Sequence, residues 1–75
     1  MNIFLSEMQD KQIISIVTGM SYGRIIDVEI DQNGNIISLV AENHKLLRKS
    51  FKNEEISFKF SDIEKIGKDV ILIKI

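Results

Sequence analysis

Seventy-five residues with 44% hydrophobic and 28% charged side chains describe one small folded domain, not a disordered tail; a domain of this size buries only about 60% of the surface its unfolded chain exposes. The absence of cysteine excludes disulfides and thiolate metal sites, so stability must come from packing or self-association. A formal net charge of -1 gives no overall attraction toward nucleic acid or anionic lipid.

The opening MNIFLSEM carries no basic segment and reaches Glu7 and Asp10 after few apolar residues, which is not the pattern of a signal peptide. No stretch has the length and apolarity of a membrane-spanning helix. The expectation is a soluble, cytoplasmic chain that folds as one domain over residues 1–75. From Ile13, the β-branched run IISIV ends at Thr18 and Gly19, with Gly23 close behind, and reads as a first strand entering a tight connection. Residues 24–31 alternate strictly. Ile26, Val28 and Ile30 point one way and Asp27, Glu29 and Asp31 the other, which predicts a half-buried second strand.

The segment 31–35 holds Asn33-Gly34, a pair suited to the positive φ values of a type I′ turn, and the apolar run IISLVA follows; this predicts a hairpin. Residues 43–55 are polar and irregular. Ile56, Phe58 and Phe60 then alternate with Ser57 and Lys59 as a fourth strand. Residues 61–67 place a capping residue, an apolar-spaced turn and a final glycine in order, which predicts one helical or 3₁₀ turn linking two strands. DVILIKI reads as a buried last strand. The fold class expected is all-β: a small barrel of five to six short antiparallel strands with one short helical turn before the last, its closure removing exposed edges.

Few residues suggest chemistry. Asp31, Asn33 and Asn35 surround Gly34 as in an oxygen-rich calcium loop, but the glycine is not sixth and no glutamate closes the loop at the twelfth position, so turn chemistry explains them. His44 is the single histidine, without a nucleophile motif beside it, and one histidine with no cysteine makes a poor metal site. The four glycines stand singly at turns, with none of the spacing that cradles phosphate. No enzyme, cofactor or metal is expected. The candidate contact surface is the loop containing Lys45, Leu46, Leu47, Arg48, Lys49, Phe51 and Lys52, where four cations interleave with apolar side chains; an ordinary solvated loop is its simplest reading, and of the functional ones docking on an acidic partner stands ahead of binding RNA. Asp27, Glu29 and Asp31 form the opposite charge pole, which is most simply the wet side of a strand.

Three segments in order, TGMSYGRIIDVEID, QNGNIISLVA and FKFSDIEKIGKDVILIKI, resemble the PRC-barrel family, whose closing pattern runs I-P-W-x-D-I-x-x-I-G-x-D-x-I-L-V. The register is shared at Asp62, Ile63, Ile66, Gly67 and residues 69–73. The start, LSEMQDKQII, is similar to that of short stand-alone members linked with sporulation, the YlmC/YmxH type. The chain departs from the pattern in three places: Lys59 stands where proline is frequent, Phe60 where tryptophan is, and Asp10 where glycine is. Phe60 can still fill an aromatic slot.

The resemblance implies a β-barrel adaptor that binds proteins without catalysis, since relatives include the cytoplasmic part of the photosynthetic reaction-centre H subunit and a domain of the ribosome maturation factor RimM. The expected partner is an unknown protein held by residues Lys45, Leu47, Arg48, Lys49, Phe51 and Lys52, with a homodimer left open. The alternative is a ribosome- or RNA-associated accessory factor using the same cations.

Overall fold

The computed structural model describes residues 2–43 and 54–75. A short helix, α1 (Leu5–Gln9), opens the chain and was not legible in the sequence. Its start is tied by the Glu7 carboxylate, which accepts the backbone N–H of Phe4 at 3.2 Å, and its inner side buries Met8. Two residues beyond the helix, Lys11 reaches across the molecule and donates its ammonium to the carbonyls of Gly67 (2.8 Å) and Lys68 (2.6 Å). One charged side chain therefore fixes the N-terminal segment to a turn more than fifty residues away.

Among the described residues six strands follow: β1 (Gln12–Ser15), β2 (Arg24–Ile30), β3 (Ile36–Asn43), β4 (Glu54–Phe58), β5 (Ile63–Ile66) and β6 (Val70–Ile73). They form two three-stranded sheets, in the orders β1-β6-β5 and β2-β3-β4. The protein is thus mostly β, as expected, but two features of the expected barrel are corrected. First, β1 and β6 run parallel, with Gln12 opposite Val70 and Ser15 opposite Ile73, so the strands are not all antiparallel. A parallel pair needs a long crossover, and here the entire chain between the two strands supplies it. Second, the two sheets do not close into one barrel among the described residues. They are joined at a seam, residues 20–23, which bond to the free side of β1: Tyr22 donates to Ile13, Ile13 to Gly23 and Ser15 to Met20.

Gly23 makes the seam possible. Its φ is +76°, and a Cβ there would lie 2.8 Å from both Asn43 Cα and the Glu42 carbonyl carbon, with the Glu42 oxygen nearer still. Only a residue without a side chain lets the strands approach this closely. Asn43 secures the same place by donating its side-chain amide to the Ser21 carbonyl at 3.2 Å.

Of the three register shifts among the described strands, two β-bulges determine which side chains reach the core. In β2, Ile25 faces Ala41, Asp27 faces Val40 and Val28 faces Leu39, which leaves Ile26 as the extra residue. Ile25 and Val28, three apart, therefore share the core face, Ile25 is buried, and Ile26 is exposed. The alternation expected for this strand, with Ile26 inward, is corrected at its first residue. In β5, Ile63 faces Ile73, Lys65 faces Leu72 and Ile66 faces Ile71, so Glu64 is the extra residue. Ile63 and Ile66 again share a face and pack on the core.

This second bulge explains another correction. Residues 61–67 were expected to form a helical turn before the last strand; the 3₁₀ turn occupies Phe60–Asp62 and precedes β5, the penultimate strand. An apolar spacing of three reads as helical, but a bulge places the same spacing on one face of a strand. The turn is closed by Asp62, whose carboxylate accepts the N–H of Lys59 at 2.9 Å. Gly67 lies beyond β5, where its N–H bonds to Val70 and begins the return into β6.

The hairpin between β2 and β3 forms as expected, with a different turn. Gly34 has φ +87° and no non-glycine residue among the described residues has positive φ, which excludes type I′ at Asn33-Gly34. Asp31 accepts from the Gly34 N–H and donates to the Asn35 carbonyl, the bonding of a three-residue loop with its glycine in the left-handed region. Between the sheets lies one core of Met8, Ile13, Ile25, Leu39, Ala41, Phe58, Ile71 and Ile73.

Candidate protein-binding surfaces

The sequence-predicted contact residues, Lys45, Leu47, Arg48, Lys49, Phe51 and Lys52, lie outside the described residues, as do His44 and Leu46. The roots of that loop are described. Asn43 ends β3 opposite Glu54, which begins β4, and the next pair inward is Glu42 opposite Glu55.

The expected acidic pole divides in two. Asp27 and Glu29 face Val40 and Ser38 and share the exposed outer face of the β2-β3-β4 sheet, where the Ser38 hydroxyl donates to Glu29 at 3.2 Å. Asp31 does not join them. Its carboxylate turns onto its own loop and accepts the N–H groups of Asn33 and Asn35, each at 2.9 Å, and the Asn35 side-chain amide at 3.3 Å. These bonds hold its carboxyl below the usual carboxylate range, the Asn35 backbone N–H contributing most and partial desolvation opposing it. The residues that resembled a calcium loop are thus committed to shaping the turn.

Two apolar surfaces escaped sequence reasoning. The larger is an open groove of about 620 Å³ at the end of the molecule that carries the hairpin turn. Its floor includes Met8, Val28 and Leu39; Phe4, Leu5, Ile30, Ile36 and Phe60 line its exposed parts. Phe4 is 75% exposed and Ile30 59%. These side chains come from four separate places: the start of α1, the end of β2, the start of β3 and the 3₁₀ turn. No local period in the sequence links them, and only the packing of α1 beside the hairpin brings them together.

The second surface surrounds the turn after β1, and its cause is Ser15. This residue is fully buried, and its hydroxyl accepts the N–H groups of Val17 (3.2 Å) and Thr18 (3.1 Å) while donating to the Ile75 carbonyl. Gly19, at φ +77°, lets the chain return so that its N–H reaches the Ser15 carbonyl at 2.8 Å. The polar groups of the turn are satisfied from inside, and Ile16, Val17 and Met20 are left exposed, Val17 by 70%. A turn of this kind is inverted relative to an ordinary solvated one.

Among the described residues, no three His, Cys, Asp or Glu side chains gather as metal ligands, and no helix is long and apolar enough to cross a membrane. What the arrangement offers chemically is apolar surface framed by a satisfied polar scaffold.

Comparison with known proteins agrees with this architecture. The family model described as the PRC-barrel domain matches residues 1–75. A protein of Bacillus subtilis named "Probable sporulation protein YlmC" is 35% identical over 75 residues, covering 97% of this chain and 93% of its own length. An uncharacterized protein of Clostridium acetobutylicum is 34% identical over 70 residues, covering 92% of this chain and 80% of its own.

Proposed function

The chain belongs to the PRC-barrel domain family, and from that premise we propose that it is a non-enzymatic adaptor of the cytoplasm, which holds protein partners during assembly and serves in sporulation. The observation that carries this reading is the balance of apolar side chains. Among the described residues, eight hydrophobic residues form the core while eleven large ones stay exposed. Exposed apolar side chains are ordinary when scattered, but nine of these eleven belong to the two surfaces described above, counting Ile75, which the Ser15 hydroxyl holds beside the turn. Contiguous apolar patches mark places that another molecule covers.

The basic and apolar loop of Lys45, Leu47, Arg48, Lys49, Phe51 and Lys52 adds the electrostatic part of the same reading, favouring partners with an acidic surface. The sporulation role is supported by the name that the Bacillus subtilis relative carries. The RNA-accessory alternative is the weaker one, because Asp27, Glu29 and Glu55 give the wet face of the β2-β3-β4 sheet a charge that repels phosphate.

Affinity capture from sporulating cells tests the proposal. The tagged chain is compared with a variant carrying Val17→Ser and Ile16→Ser and with one carrying Lys45, Arg48, Lys49 and Phe51 replaced by alanine. Loss of a captured protein from either variant is the expected result. Identical captured sets from all three chains would refute the adaptor reading at the turn and at the basic loop.

A further inference from the structure

We propose that the groove formed by Phe4, Leu5, Ile30, Ile36 and Phe60 is covered by a second copy of this chain, joined through a two-fold axis. The inference goes beyond the adaptor reading, which stands or falls on partner capture whether or not the chain pairs with itself.

The area points to this occupant. The five side chains expose an amount equal to between two and three fully accessible residues, about 500 Å² at roughly 200 Å² for each large apolar residue. A standard interface buries about 800 Å² on each partner, and homodimer interfaces are about 65% apolar, which requires about 520 Å² of apolar surface per copy. The five residues supply that amount when the whole of their exposed surface is covered. A small bound molecule would cover the recess and leave the projecting Phe4 ring in water.

The shape suits self-pairing. A two-fold interface uses one patch on both copies, so the patch must contain its own complement. Here Phe4 projects beside an open recess of about 620 Å³, and a two-fold rotation sets the Phe4 of each copy against the recess of the other.

The electrostatics also permit it. Among the described residues lining the groove none is charged, and Asn2 is the single polar one. The acidic neighbours along the chain are engaged in local hydrogen bonds: Glu7 accepts the Phe4 N–H, and Asp31 is bound into its own turn. Bringing two identical rims together therefore does not set free carboxylates against each other. A chain without disulfides, whose core among the described residues holds eight hydrophobic side chains, gains stability from such pairing.

Sedimentation equilibrium of the purified full chain, over a hundredfold range of concentration, tests the proposal. The expected result is a monomer–dimer equilibrium that Phe4→Glu weakens at least about tenfold, the size of effect a central aromatic contact has. Ile26→Glu, at an exposed position outside both apolar surfaces, leaves the association unchanged. Phe60→Glu is the second variant should Phe4→Glu fail to fold by circular dichroism. A wild-type chain that remains monomeric at its highest soluble concentration overturns the proposal, and so does a dimer that survives both groove variants. A monomer that takes up an apolar dye at Phe4 assigns the groove to a small ligand instead and likewise overturns it.

Discussion

Replacing Gly23 with alanine should destabilise the protein far more than the same change at Gly19 or Gly34. All three glycines have φ between +76° and +87°, so each substitution forces an L residue into the left-handed region at a cost of about 1–2 kcal/mol. At Gly19 and Gly34 nothing lies within 4 Å of the new methyl group, and the conformational cost is the whole effect. At Gly23 the methyl group would enter the backbone of β3, within 2.8 Å of Asn43 Cα and of the Glu42 carbonyl carbon. Relief requires the seam to open, at the expense of bonds such as Ile13 N–H to the Gly23 carbonyl (2.7 Å) and the Asn43 amide to Ser21. Losing two hydrogen bonds of about 1 kcal/mol each on top of the strain gives about 3–4 kcal/mol, a large part of a total stability of about 5–15 kcal/mol. Urea unfolding followed by circular dichroism measures this directly. With a slope of about 1 kcal/mol per molar for so small a chain, the midpoint of the Gly23 variant should fall by about 3–4 M and those of Gly19 and Gly34 by about 1–2 M. Equal shifts at the three positions would refute the seam.

Three further outcomes test separate parts of the structure. Ile25→Ala should cost about 2–5 kcal/mol as a core truncation and Ile26→Ala much less, since the bulge buries the first and exposes the second; thermal melting distinguishes this from the strict alternation, which gives the opposite order. Ser15→Ala should cost about 1–3 kcal/mol, because the N–H groups of Val17 and Thr18 and the Ile75 carbonyl lose their shared partner, and amide exchange at Val17 and Thr18 should accelerate. Asp31→Asn should remove stability above pH 4 and little below it. The folded carboxyl titrates lower than its unfolded value of about 3.9, so its contribution is present above that value and is lost as pH falls through the folded one; a gap between the two proteins that widens on acidification would contradict this.

The strand content, the hairpin and the family were legible in the sequence because each rests on local signals: alternation, a glycine turn, and a closing segment whose residues stand in fixed register. What could not be read has a common physical form. At Ile25 and Val28, and again at Ile63 and Ile66, a bulge converts the two-residue period of a strand into a spacing of three, which imitates a helix. The parallel pairing of β1 with β6 joins residues nearly sixty positions apart, and such pairing leaves no trace in either segment alone. The groove was invisible for the same reason, since Phe4 and Phe60 become neighbours only after Lys11 and Met8 fix α1 against the body of the protein. The basic loop that the sequence singled out lies outside the described residues, and its role is tested by the substitutions given above.

Photo-crosslinking in sporulating cells tests the central claim most directly, that the exposed apolar surfaces are covered by protein. A photoreactive residue replaces Val17 in one strain and Glu29, on the wet face of the β2-β3-β4 sheet, in another. The account predicts a discrete crosslinked protein from position 17 and none of comparable yield from position 29. Equal yields at the two positions, or no product at position 17, would contradict it.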